Sequence, residues 1–505
     1  MLSALIGCTG LQACVDRVRD GMRPAAQGVP LRDAAADEAD SATERTDAAA
    51  GSVALGPSAA HRAAVEALVE PILQSRWVSS MVVGLVSDQG REFYAFGTLD
   101  DSGKAPDQQT LWEIGSITKT FTSLLLAKFV GDGALALEQP VQTLLPSDRV
   151  RVPTRGAKQI TLIQLATHSS SLPGIPDNLA VSAAAHPDDP YADYTEALLF
   201  DFLNGYQLTR DPGSDWEYSN LGGGLLGHAL ALHAQQPWAA LVADLISGPM
   251  ALADTVATLS DAQRVRFAQP HDADLVAVPE WTFDVLAPAG ALRSTALDMM
   301  EYVALQAGIT HSASLDSAVA FAHVARFDIP AASGLTGNQM GLGWLVRDGR
   351  FLWHNGGTGG SGSFVGADPI SHTGVVVLSN TESEVYEPQT QLGHALQALM
   401  AGTEPLDVTL PPAPRSLPVA LLDQYTGDFT LVDGSDSAPL NIARDGVSLY
   451  ARLADGHPQR LQATSETSFY TRWLPVTLTF HSGDTRAADF WIIEQQGSSL
   501  TARRN

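Results

Sequence analysis

Leu111–Val130 reads LWEIGSITKTFTSLLLAKFV. An apolar helix pattern opens here, and Ser116 and Lys119 stand three residues apart at its start. Positions i and i+3 share a helix face, so a hydroxyl and an amine can meet. A helix start also turns free backbone N–H groups outward, which suits a place where negative charge develops. Serine is a weak nucleophile near neutral pH, and a desolvated lysine beside it is one way to activate it. Ser-x-x-Lys alone is a weak signal. Here it stands out, because only four of the 30 basic residues are lysines: Lys104, Lys119, Lys128 and Lys158.

Upstream, Ser58 is a candidate N-cap for a helix in which Val65, Leu68, Val69, Ile72 and Leu73 recur at helical spacing. MVVGLVS and REFYAFG then flank Asp88-Gln89-Gly90 as a β-hairpin. Helix, hairpin and the Ser116 helix together predict an antiparallel sheet flanked by helices. Downstream, 160–174 combines a short helix with a serine-rich loop, and 196–250 is helical with a break at Arg210–Gly213. A further helix within 286–308 can be capped by Ser294 or Thr295. From 341 the pattern changes to GLGWLV, RFLWHNGG, GSFVGADP and GVVVLSN, read as three consecutive antiparallel strands. A helix follows over Pro388–Ala401.

Residues 402–418 are proline-rich and aperiodic, the composition of a linker. The remaining 419–505 reads LLDQYTGDFTL, APLNIARDG, VSLYARLADG, QRLQAT, SFYTR and VTLTFHSGD, a run of short strands predicting a small β-barrel or sandwich.

The chain has 505 residues, enough for two or three domains, and 45% hydrophobic with 17% charged residues describes a globular protein. A net charge of −26 argues against nucleic acid as a partner. The two cysteines, Cys8 and Cys14, lie outside any expected core. Leu5-Ile6-Gly7-Cys8 resembles a lipoprotein lipobox and makes Cys8 a lipid-anchor candidate, although the first basic residue is Arg17. Arg23–Gly56 is rich in Ala, Asp and Thr and reads as a disordered tether, so 1–57 is expected to be an N-terminal segment outside the fold. Its anchor would place the protein in the cell envelope, either periplasmic or secreted. Apart from that anchor no membrane contact is expected, since about 18 uninterrupted apolar residues occur nowhere.

Two further constellations carry chemistry. Tyr218-Ser219-Asn220 offers a phenol for proton transfer and an amide with both donor and acceptor. His354-Asn355-Gly356-Gly357 offers a cation beside extended, glycine-rich backbone, which can hold a carboxylate and present an N–H to an oxyanion.

In order and context, S-x-x-K, Y-x-N and H-x-G resemble the penicillin-recognising serine hydrolases: class C β-lactamases, D-Ala-D-Ala carboxypeptidases and related carboxylesterases. The resemblance covers roughly 60–400, and 419–505 resembles the lipocalin-like barrel appended to some members. It implies an α/β (α+β) catalytic domain over 58–401, with an antiparallel sheet, flanking helices and an all-helical region. A separate β-barrel would follow. It further implies a cofactor-free and metal-free hydrolase of a small ester, a β-lactam or a D-alanyl peptide. Ser116 would be the acylated nucleophile, Lys119 the acceptor of its proton, and Tyr218 the relay to the leaving group. Asn220 would orient the substrate and Lys119. His354 would take the place of the family lysine as a pH-dependent carboxylate binder, with Gly356 beside it. The N–H groups of Ser116 and Gly357 would form the oxyanion hole. The alternative is a penicillin-binding sensory module that is acylated without turnover. Ser171 departs from the family pattern, which has glycine there.

Other signals are weaker. Gly222–Gly227 and Gly357–Gly362 satisfy G-x-G-x-x-G, but neither links a strand to a helix in a βαβ unit. The first reads as close helix packing and the second as backbone approaching substrate. His168 reads as structural. H-E-x-x-H and G-x-S-x-G are both missing, against a zinc hydrolase and an α/β-hydrolase. Trp112, Trp216, Trp281 and Trp344 are core by default, with a cleft wall as the rival reading.

Overall fold

The computed structural model describes residues 59–505, apart from 100–101, 332–334, 336–337, 384, 434–435, 455, 457, 485–488 and 496–497. The lipobox, the tether and the Ser58 cap therefore lie outside the described residues.

The described residues begin with α1 (Ala59–Gln74), then β1 (Ser80–Ser87) and β2 (Gly90–Gly97), the expected hairpin. β1 lies inside an eight-stranded sheet ordered β2-β1-β10-β9-β8-β7-β6-β5. Here β5 is Phe327–Asp328, β6 Asn338–Met340, β7 Leu345–Arg347, β8 Phe351–Gly357, β9 Gly362–Asp368 and β10 Thr373–Ser379. Every pairing is antiparallel. Four consecutive strands, β7 to β10, thus follow residue 341, one more than the sequence suggests.

The runs of β1 and β10 are apolar at nearly every position because both faces are covered. Met81, Val83 and Leu85 pack with Val65, Val69 and Ile72 of α1 and with Leu392 and Leu396 of the helix Pro388–Met400. Val82 and Val86 face the other core, with Met300 and Val303 of the helix Ala296–Gln306. Thr295 caps that helix, its side chain accepting from the Asp298 N–H.

The all-helical region stands on this second face. Its centre is α2 (Thr118–Gly131), buried from Thr118 through Ala127. A helix buried all round belongs in the middle of a core, and its polar side chains there are paired, as Thr120 Oγ1 with Ile117 O and Thr122 Oγ1 with Pro288 O. Beside it lies α3 (Asn220–Ala234), whose Gly223 sits so close that an added Cβ would stand 3.1 Å from the Lys119 side chain. The glycine run therefore serves close packing. Among the described residues no helix is long and apolar enough to cross a membrane.

Residues 404–418 carry neither helix nor strand. They are not a free tether: the Thr409 N–H donates to Gln391 Oε1 at 2.7 Å and the Arg415 N–H to Ala463 O at 2.8 Å. The C-terminal part closes an eight-stranded barrel from β11 (Gly427–Asp433) to β18 (Ser498–Arg504). Val419–Tyr425, part of a stretch read as strand, is instead a helix whose Leu422 and Tyr425 plug the barrel core. A short apolar run does not separate helix from strand by periodicity. Arg472 joins barrel to catalytic domain. Its guanidinium donates to Ser75 O, Arg76 O and Ala273 O at 2.7–2.9 Å and lies 4.7 Å from the Trp77 ring centroid.

Candidate active site

Ser116 lies in the helical turn Gly115–Ile117 that leads into α2. Gly115 has φ +47°, a left-handed conformation that favours glycine, and a Cβ there would fall 2.7 Å from the Gly357 nitrogen. Gly356 is equally constrained, its missing Cβ lying 2.1 Å from Ile114 O and 2.9 Å from Ser116 N. Glycine at these positions lets the end of β8 press against the turn that carries Ser116.

Lys119 is 2% exposed. Its Nζ lies 2.9 Å from Ser116 Oγ, 2.7 Å from Asn220 Oδ1 and 2.7 Å from Ala289 O. Burial pushes its ammonium well below the ordinary lysine range. Tyr218 lies beside Ser116, and its ring centroid is 4.9 Å from Lys119 Nζ. Burial raises the phenol further above its ordinary value, against the effect of Ser116. Lysine is thus driven toward the free amine and tyrosine held as the phenol.

Asn220 opens α3, with Ser219 as N-cap accepting from the Gly222 N–H at 2.8 Å. Asn220 Nδ2 contacts Tyr191 Oη at 3.3 Å. His168 braces this turn from behind: its Nδ1 accepts from the Ser219 N–H at 3.1 Å, and its ring lies 4.4 Å from that of Tyr218. Burial, with Lys119 and His354 nearby, keeps His168 neutral. Ser171 has φ +65°, and its hydroxyl donates to Asp211 O at 3.0 Å. The position is one that favours glycine, and serine is anchored there by its side chain.

Ser116, Tyr218, Asn220, Gly356 and Gly357 all line one cleft of about 320 Å³. His354 does not. It is fully buried, its Nδ1–H donates to Asn355 O at 2.5 Å, and its ring lies 6.2 Å from Tyr218. Burial and the neighbouring Lys119 push its pKa down to about 3. The expected titratable cation for a substrate carboxylate is therefore corrected: alternation along β8 turns His354 inward beside Leu352, where a charge is costly.

Sequence reasoning passed over several participants. Glu113, in the strand β3 (Leu111–Glu113), is 2% exposed and pairs across to Arg293, whose Nη2 is 3.9 Å from its carboxylate. It accepts from the Trp281 N–H at 2.7 Å, Thr358 Oγ1 at 2.7 Å and Ser361 Oγ at 3.2 Å. One carboxylate thus ties the residues just after Gly357 to the cleft wall at Trp281, and a lone acid inside an apolar run was the signal for it. Of the tryptophans, Trp281 lines the cleft, while Trp112 and Trp344 are core. Glu382 and Glu387 complete the mouth. Among the described residues no group of three or more His, Cys, Asp or Glu could hold a metal ion.

A family model described as Beta-lactamase matches residues 65–399, more than half of the chain. The chain belongs to the beta-lactamase family. Within that family, a beta-lactamase of Pseudomonas fluorescens is 25% identical over 382 residues, 67% of this chain and 98% of that protein. The D-alanyl-D-alanine-carboxypeptidase/endopeptidase AmpH of Escherichia coli K12 is 26% identical over 367 residues, 68% of this chain and 90% of AmpH. Among solved structures, a class C beta lactamase from Rhodobacter sphaeroides matches with TM-score 0.55 and 26% identity, covering 63% of this chain and 94% of its own. D-alanine carboxypeptidase AmpC from Burkholderia cenocepacia shares the fold with TM-score 0.56 at 22% identity, covering 68% of this chain and 98% of its own.

Proposed function

We propose that the protein is a serine hydrolase that cleaves small esters or amides, of the β-lactam or D-alanyl-peptide kind, through an acyl-enzyme on Ser116. The observation that carries this reading is the hydrogen-bond geometry of Lys119. A neutral amine has two N–H donors and one lone pair. Asn220 Oδ1 and Ala289 O can only accept, so they take both donors and leave the lone pair to the third neighbour, Ser116 Oγ at 2.9 Å. Ser116 then donates its hydroxyl proton to Lys119 as it attacks the carbonyl carbon. The oxyanion forms against the N–H groups of Ser116 and Gly357, an arrangement in which each donor contributes about 3–4 kcal/mol. Tyr218, protonated and beside Ser116, hands a proton to the leaving group and recovers one by way of Lys119. Water then repeats the attack on the acyl-enzyme and frees Ser116. His354 acts as a neutral neighbour of Tyr218, not as a cation.

The test is a parallel assay of short p-nitrophenyl esters, a D-Ala-D-Ala peptide and nitrocefin with wild type and Ser116→Ala. Ser116-dependent turnover of at least one substrate is expected. Full activity in the alanine variant would overturn the mechanism, and a lasting adduct without turnover would instead establish an acylated binding module.

A further inference from the structure

The mouth of the cleft carries the carboxylates of Glu382 and Glu387, and among the described residues no lysine or arginine lines it. Asn355 sits on β8 beside Gly356, where a side-chain amide could hold a substrate carboxylate. That amide is already engaged: its Nδ2 donates to Glu387 Oε2 at 3.3 Å and to Thr390 Oγ1 at 3.0 Å. The amide is thus already paired with a carboxylate of the protein itself, one that burial raises above its ordinary value and the Thr390 hydroxyl draws back down. Glu382 lies alongside Gly357, whose missing Cβ would stand 2.9–3.0 Å from its carboxyl atoms. The facing wall is Tyr191, Trp281 and Phe283, with ring centroids 5.0–6.2 Å apart.

Carboxylates attract cations, and so do aromatic faces. A substrate anion entering this cleft meets like charge in a partly desolvated space. We propose that the cleft selects esters or amides that carry a positively charged amine and disfavours those that carry a carboxylate, with Glu382 and Glu387 as the specificity-determining residues. The inference rests on the serine-hydrolase reading above and narrows its substrate class.

The test uses the full chain and two matched series near pH 6.5, where an α-amine is charged. Alanine p-nitroanilides, in both enantiomers, are compared as free ammonium, N-acetyl and N-succinyl forms. Choline acetate is compared with its uncharged isostere 3,3-dimethylbutyl acetate. The expected result is kcat/KM at least about tenfold higher for the cation than for its neutral match in one series, with the succinyl form slowest. Glu382→Gln and Glu387→Gln should each narrow the ratio several-fold, and added salt should narrow it in wild type. A preference for the succinyl form, no preference in either series, or a ratio unmoved by both substitutions would overturn the proposal. Loss of Ser116 dependence would instead overturn the hydrolase reading, so the two failures are separable.

Discussion

The floor and the mouth of the cleft are built differently. The floor and the side chains packed behind it are buried and charge-poor: Tyr218 is held protonated, and behind it Lys119 is driven toward the free amine while His354 and His168 are neutral. The mouth is open and carries two acids. A buried floor lets burial set proton positions, as proton transfer from Ser116 requires. An acidic mouth lets the protein choose what arrives.

The floor half of that contrast predicts the largest effect. Lys119→Met keeps the bulk of the side chain and removes its lone pair, so kcat should fall by about 10²–10⁴-fold. A loss confined to KM would show that Lys119 binds rather than accepts a proton. The boundary between floor and mouth predicts the next. Glu113→Gln keeps the shape but weakens the tie from Trp281 and Thr358–Ser361, so kcat should fall roughly tenfold, with KM changing less. Unchanged kcat with lowered thermal stability would reduce Glu113 to a scaffold role.

The smallest effect concerns protons. His354 is held down to about 3 by burial and Lys119, and burial also lowers His168, His323 and His394. An unfolded histidine takes up a proton near pH 6.5, whereas these folded ones do not. Their stabilisation is complete above that pH and is lost as pH falls toward their folded values. For His354 alone the loss at pH 5 is about 2 kcal/mol. The thermal midpoint should therefore drop by several degrees between pH 7 and pH 5. His354→Gln should lessen the drop, and a midpoint flat over that range would contradict the neutral floor. No loss of activity between pH 6 and 8 is expected from His354.

The same contrast explains what was legible in the sequence. Ser116 and Lys119 lie within four residues of one helix start, and Tyr218 and Asn220 belong to another, so the floor is written in two short local patterns. The mouth assembles Asn355, Glu382, Glu387 and Trp281 from separate segments, and no local spacing announces it. His354 was found by position but its charge state was misjudged, because protonation depends on burial, which a motif does not encode. The antiparallel sheet was readable because short β-type runs and the Gly, Asp and Pro residues that separate them are local signals. The helix at Val419–Tyr425 was not, since a seven-residue run fits helix and strand alike.

The central claim is that Ser116 becomes acylated. It is tested most directly by rapid acid quench of the protein during turnover of its best substrate, followed by intact-mass measurement and peptide mapping. The account predicts a transient mass increase equal to the acyl group, located on the peptide that holds Ser116 and missing from Ser116→Ala. Turnover with no adduct on that peptide, persisting in the alanine variant, would contradict it.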